Sequence, residues 1–313
     1  MTDPTVNDPI TGDPLRAEEP AAQAVVTSVH PGESPGRRFR RRFRRERGAM
    51  IGLGFLVFAV LCAVFAPVLA PHDPDAQTLS ARLEAFSWEH LLGTDDLGRD
   101  VLSRLLFASR VSLVAAVQAT VVGVALGVPI GLLAGYTRGW FDNLVSRIAD
   151  AIMSIPALLL ALAIVGVLEP NLTSAMVAIG IVYAPRLFRV TRAAALSVRE
   201  ETFVEAARSV GSSPLRIISG HVLPNVLSPL VVQISLSMGF AILFEASISF
   251  LGLGVQPPDA SWGSMLGRST RFFEQSPHLV VVPGVAILLT VLAFNVIGDG
   301  IRDSLGRETR RAS

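Results

Sequence analysis

The sequence predicts an all-α, polytopic membrane protein with six transmembrane helices and both termini in the cytoplasm. Three observations carry this. Half of the 313 residues are hydrophobic and only 17% are charged, against about a quarter charged in a typical soluble domain. The charges cluster and leave long runs with none, and mean hydropathy is +0.51, as expected for several spans. The arginines, finally, fall in alternate segments between those runs.

Residues 1–36 are rich in Pro, Asp, Glu and Thr without periodicity and read as a disordered cytoplasmic tail. They lack the short apolar core of a secretory signal. Eight arginines follow between Arg37 and Arg47. Because this run abuts an apolar span, it reads as an anchor on anionic lipid, and no nucleic-acid partner is expected. Residues 37–108 comprise this anchor, a first span over 49–70 and an outer segment. The 22 uncharged residues from Ala49 to Ala70 reach about 33 Å as a helix, enough for the ~30 Å hydrocarbon core. A transmembrane domain follows over 109–300, with spans at about 111–136, 150–168, 172–188, 224–250 and 279–298. Residues 301–313 form a cytoplasmic tail.

The fourth span has the shortest apolar run, 13 residues from Leu172 to Ala184 before Pro185 and Arg186, a length that also suits a re-entrant piece. Charge parity argues for a full crossing. With it, 20 arginines lie on one side, against five in the outer segments 71–108 and 253–278. Such asymmetry places the arginine-rich side in the cytoplasm. The spans are rich in small residues, as at Gly123, Gly127, Gly131 and Gly135, which let helices approach closely in lipid.

Every basic residue apart from histidine is arginine. A phosphate loop of the G-x-x-x-x-G-K-[ST] type needs its lysine, as does Schiff-base chemistry. Nucleotide hydrolysis of the usual kind therefore belongs to another chain, and the protein is not expected to be an enzyme. Cys62 is the sole cysteine, so no intrachain disulfide is possible. The five histidines are dispersed, and neither a metal site nor a cofactor is expected.

The segment 189–222 between spans four and five carries the most information. Phe203, Ala206, Ala207 and Val210 recur at helical spacing on one face. Gly211 suits the left-handed residue that ends a helix, and Ser213-Pro214 suits an N-cap followed by proline at the first helical position. An amphipathic helix on the cytoplasmic side has two possible partners, lipid or a groove on another protein, and periodicity does not choose between them.

Glu205-Ala206-Ala207, then Gly211, then Leu223-Pro224, resembles the E-A-A loop of bacterial ABC-importer permeases. Where many members carry isoleucine three residues before the proline, this chain has His221, and His221-Val222-Leu223-Pro224-Asn225 resembles the dipeptide, oligopeptide and nickel branch. Two further stretches are similar to C-type permeases of that branch. One runs from Leu92 to Arg104 and includes Gly93, Asp95, Gly98, Arg99 and Asp100. The other runs from Phe244 to Gly254, with Pro257-Pro258 and Trp262-Gly263 after it. The resemblance covers about residues 40–305. It implies a type I importer permease fold, a second homologous permease subunit, two cytoplasmic ATP-binding subunits and an extracytoplasmic substrate-binding protein. In its terms Phe203, Glu205, Ala206, Ala207, Gly211, His221, Leu223 and Pro224 form the joint with the ATPases.

Glu245 follows 19 uncharged residues in span five, where a carboxylate is costly unless paired or hydrated. It lines a substrate path, holds an outer gate through Ser249 or a neighbouring helix, or lies past the bilayer edge. Gln233 is a further candidate for a polar pathway. Asp95, Asp96, Arg99 and Asp100 offer a contact for a binding protein or sister subunit, or simply a folded surface. An ion-gradient transporter would normally need more spans or internal repeats. A non-transporting scaffold leaves the ordered motifs unexplained. The substrate is not legible.

Overall fold

The computed structural model describes residues 35–306. The tails expected at 1–36 and 301–313 therefore fall, except for residues 35–36 and 301–306, outside the described residues. The chain divides into two units, one ending at Arg40 and one starting at Arg41. The helix Pro35–Phe43 (α1) holds five of the eight arginines of the run. The regular structure of the described residues is helical, apart from one isolated antiparallel bridge between Thr94 and Asp100.

Helix α2 spans Arg47–Val64, and Phe65 breaks it from the single turn α3, Ala66–Leu69. After an outer segment, α4 runs from Val101 to Thr137. At 37 residues it is about 55 Å long, well beyond the hydrocarbon core. Next come α5 (Trp140–Ser154), α6 (Ala157–Val167) and α7 (Leu172–Arg199). The short helices α8 (Thr202–Ser209) and α9 (Pro214–Ile217) lead through a π-turn at Ile218–Val222 into α10 (Leu223–Phe250). Helices α11 (Trp262–Ser269) and α12 (His278–Gly306) complete the chain.

Five of these segments are long and apolar enough to cross a membrane, and the pair α5–α6 makes a sixth crossing if counted as one bent span. The third span, expected as one helix over 150–168, is thus two helices bent by 95°. Pro156 is the cause. The residue before proline is driven out of the helical region, and Ile155 is extended at φ −90°, ψ 134°.

Helix contacts fix the direction of each crossing. A Cβ built on Gly127 would lie 2.5 Å from the Ala184 carbonyl, one on Gly131 2.8 Å from that of Phe188, and one on Gly135 2.7 Å from that of Arg192. Residue numbers rise together along α4 and α7, so the two helices are parallel. The connection between them must then return the chain to its starting end, and α5–α6 makes that return. Gly239 instead meets Phe294 and Asn295 while Gly298 meets Ser235 and Leu236, so α10 and α12 are antiparallel. Gly52 meets Ala293 and Ala49 meets Gly300, so α2 is antiparallel to α12. The start of α2 and the end of α12 share one end of the bundle.

Helix α7 continues through Pro185 to Arg199, eleven residues past the expected end of the fourth span. Proline is tolerated in membrane helices where neighbours cover the freed backbone groups, and Pro185 is buried. The extension holds Arg192 against Asp142 of α5 in a two-pronged ion pair, and Arg189 against Asp150. Apolar side chains on the outward faces stay exposed, among them Ile51, Phe58 and Leu288, as lipid contact allows.

Candidate functional site

At the arginine-rich end, α8 presents two apolar stripes. Val204 and Ala207 are buried in a cluster with Tyr136 of α4, Ala195 of α7, and Ile217, Val222 and Val226 at the entry to α10. Phe203, Ala206 and Val210 face outward with Glu205, and Val210 is 81% exposed. Helical spacing predicts Ala207 on the same face as Phe203, Ala206 and Val210. At 100° per residue Ala207 lies at the edge of that stripe, and the fold draws it under together with Val204. Val204 was missed, although its i, i+3 spacing from Ala207 is the signal that marks a second stripe. Leu215, 74% exposed, extends the outward surface onto α9.

Gly211 ends α8 at φ +80° with open space around it, so the position demands its backbone conformation and not its small size. Its N–H donates to the Arg208 carbonyl at 3.0 Å, and that of Ser212 donates to Ala207 at 3.1 Å. This is the Schellman pattern, which satisfies carbonyls left over at a helix end. Ser213 and Pro214 occupy the N-cap and first positions of α9, and the Ser213 hydroxyl makes no capping bond. His221 stacks on Phe203 with centroids 6.4 Å apart. Leu223 packs against the buried cluster and Pro224 is exposed. The guanidinium groups of Arg199 and Arg208 lie 6.0 and 5.8 Å from the Tyr136 ring, within cation–π range.

Glu245 sits near the opposite end of α10 and is 1% exposed. It accepts from the Ser249 hydroxyl at 2.7 Å and from the Ser112 hydroxyl of α4 at 3.2 Å. Those hydroxyls in turn accept from the Val255 and Trp262 amides, at 3.3 and 3.1 Å. One carboxylate thus ties α10, α4 and the segment before α11 together. Ser112 was not singled out from the sequence, since nothing local marks one serine among many. Gln233 is twelve residues, about 18 Å of helix, from Glu245, and the fold does not join the two. Gln233 is half-buried, and its backbone carbonyl accepts from Ser237.

The outer motif folds on itself. Gly93 and Gly98 have φ of +73° and +72°. Asp95 accepts from the Leu97 and Arg99 amides and pairs with the Arg99 guanidinium at 2.6 Å. Asp100 caps α4 by accepting from the Ser103 amide and hydroxyl, at 2.8 and 2.7 Å. Arg99 and Asp100 are 4% and 2% exposed, so they offer a partner little surface, because their charges are spent on internal pairs. Asp96 remains the more open of the group. Burial would raise the Asp100 carboxyl, but the Ser103 hydroxyl and amide, the His90 hydrogen bond and the charge of His72 outweigh it and hold it below the usual carboxylate range. His72, His90 and Asp100, separated in sequence, bring their ligand atoms within 4.8 Å of one another. Their spacing of 18 and 10 residues gave no signal.

The arrangement of these helices has solved counterparts. It matches a chain of the MetNI methionine ABC transporter in its inward-facing form, with a TM-score of 0.54 at 20% identity, covering 68% of this chain and 96% of that one. The fold is that of an ABC-importer permease, a multi-pass component of a transport system. The chain belongs to the family of binding-protein-dependent transport system inner membrane components, which residues 127–311 match. Residues 34–85 match the N-terminal transmembrane domain of oligopeptide transport permease C. Among curated relatives, the di/tripeptide transport system permease protein DppC of Pseudomonas aeruginosa is 42% identical over 90% of this chain and 94% of its own length. The dipeptide permease DppC of Alkalihalophilus pseudofirmus is 43% identical over 87% and 90%. The glutathione permease GsiD of Pectobacterium atrosepticum is 40% identical over 87% and 91%. The protein is therefore a multi-pass transport subunit of the cell's inner membrane and not an enzyme with its own ATPase site.

Proposed function

We propose that this chain is one of two related permease subunits of an ATP-driven, binding-protein-dependent importer of peptides. On this reading α8 and its flanking turns are the joint driven by two cytoplasmic ATP-binding subunits. One observation carries it: the two apolar stripes of α8. Val204 and Ala207 root the helix in a cluster shared by α4, α7 and α10, while Phe203, Ala206 and Val210 are exposed beside Glu205. A motor that grips the free stripe moves the rooted one, and with it three membrane helices. Interiors are close-packed and transmit such displacement instead of absorbing it.

At the far end, the Glu245 cluster would hold α4, α10 and the segment before α11 closed until that displacement arrives. A substrate-binding protein would deliver cargo to this end. Short peptides are the substrate class best supported, because the relatives that match nearly the whole chain are named for dipeptides, di/tripeptides and glutathione. The charge asymmetry supports a cytoplasmic position for α8, where an ATPase could reach it.

The test is Val210→Asp in the assembled transporter reconstituted into vesicles. A charge on a docking surface should cut ATP-driven dipeptide uptake by ~10-fold or more and weaken ATPase co-purification. The subunit itself should remain in the membrane, because the side chain is exposed. Uptake and co-purification at wild-type levels would sink the docking role. Uptake that proceeds on an ion gradient without ATP would sink the importer reading altogether.

A further inference from the structure

We propose that His72, His90 and Asp100 form a binding site for a divalent first-row transition ion of the Zn²⁺ type at the outer end of the bundle. The three side chains come from different places. His72 follows α3, His90 lies in the outer segment, and Asp100 caps α4. His90 Nδ1 lies 3.0 Å and His72 Nδ1 3.8 Å from the same oxygen, Asp100 Oδ1. Metal–ligand bonds of ~2.0–2.2 Å in a tetrahedron put ligand atoms roughly 3.4 Å apart. The two distances bracket that value and no two of the three ligand atoms are more than 4.8 Å apart, so shifts of about an ångström would bring them onto three corners of a tetrahedron.

His72 supplies the observation that points to a ligand. Its Nδ1 is shielded from solvent and has no hydrogen-bond partner. At 3.8 Å it is too far from the carboxylate for a hydrogen bond, yet it lies beside the oxygen that His90 already engages. A purely structural His90–Asp100 bond would not require a second imidazole there. The His72 side chain is 37% exposed, so the cluster lies near the surface.

The surroundings are built as metal sites are. Asp100 Oδ2 is fixed by the Ser103 amide and hydroxyl. The same hydroxyl accepts from the His72 amide at 3.1 Å, and the His90 amide donates to Ser87. Such supporting contacts orient first ligands. The nearby cations are neutralised elsewhere, Arg99 on Asp95 and Arg104 on Asp75. Two imidazoles and one carboxylate suit zinc, nickel or copper and are poor for calcium or magnesium, which prefer oxygen. A bound ion would staple the outer segment to the first turn of α4, whatever the transporter carries.

The test uses the tag-free full chain in its assembled complex, stripped with chelator and titrated with Co²⁺ and Zn²⁺. The expected result is one saturable equivalent per chain, with the visible absorption of tetrahedral Co²⁺ that Zn²⁺ abolishes. His72→Ala and His90→Ala should each weaken binding by ~10-fold or more, and His278→Ala should leave it unchanged. His72→Ala is the decisive variant because its ring is partly exposed. An unchanged melting midpoint in chelator shows that it folds, and loss of the Zn²⁺-induced rise in that midpoint supports the site. No saturable equivalent in the wild type, or the same equivalent in both histidine variants, overturns the proposal.

Discussion

The Glu245 carboxylate accepts a hydrogen bond from the Ser112 hydroxyl across 3.2 Å, joining α10 to α4 at a point where both side chains are buried. Glu245→Ala would leave the Ser112 and Ser249 hydroxyls without their acceptor and open a cavity. A loss of ~2–4 kcal/mol is expected, read as a lower melting midpoint of the purified transporter. Glu245→Gln keeps the shape and one acceptor oxygen and should cost about 1 kcal/mol or less. Equal midpoints for the two variants would show that these hydrogen bonds hold nothing.

The α4–α7 contact depends on a row of glycines. A Cβ at Gly127 would stand 2.5 Å from the Ala184 carbonyl and one at Gly131 2.8 Å from that of Phe188, and backbone cannot step aside as a flexible side chain can. Gly127→Val or Gly131→Val should cost ~3 kcal/mol or more and deplete folded subunit in the membrane. Gly54→Ala is the control. It meets nothing within 4 Å and should be neutral or slightly stabilising, by about 0.5–1 kcal/mol. Equal membrane abundance for Gly54→Ala and Gly131→Val would refute the close approach.

At Gly211 the constraint is the backbone alone. Gly211→Asn should be tolerated, since asparagine enters the left-handed region readily, and Gly211→Leu should cost ~1–2 kcal/mol. Gly211→Pro should cost ~3 kcal/mol, because it removes the N–H that bonds Arg208 and cannot adopt φ +80°. Uptake should fall in the same order, Asn above Leu above Pro. If Leu were as harmful as Pro, surface bulk and not conformation would rule the position.

Much of this was readable because membrane solvation writes itself into sequence as long uncharged runs. The ranges 224–250 and 279–298 fall inside the helices Leu223–Phe250 and His278–Gly306. What hydropathy cannot see is where a helix goes once it leaves lipid. Helix α7 runs on to Arg199 through charged residues, because Asp142 and Asp150 receive its arginines, and those partners lie some 40 to 50 positions upstream. Proline was equally opaque: Pro185 sits inside a continuous helix while Pro156 breaks one. The motif at Glu205–Gly211 gave the position of α8 but not which stripe is rooted, since burial of Val204 depends on Tyr136 and Val222 from distant segments. The histidine cluster and the Ser112–Glu245 bond are long-range for the same reason.

Val204 offers the sharpest separation between docking and transmission. It is fully buried, at 0% exposure, whereas Val210 on the other stripe is 81% exposed. Val204→Ala deletes two buried methyl groups and should destabilise the cluster by ~1–2 kcal/mol, mostly through the cavity it leaves. The free stripe is untouched, so ATPase subunits should still co-purify and still hydrolyse ATP. The grip of α8 on α4, α7 and α10 is looser, so fewer dipeptides should enter per ATP consumed. Val210→Asp should instead lower co-purification and uptake together. The ratio of uptake to hydrolysis, measured in vesicles for both variants, therefore distinguishes a slipping joint from a lost one. If Val204→Ala left that ratio at the wild-type value while its melting midpoint fell, the buried stripe would be a structural anchor that carries no motion.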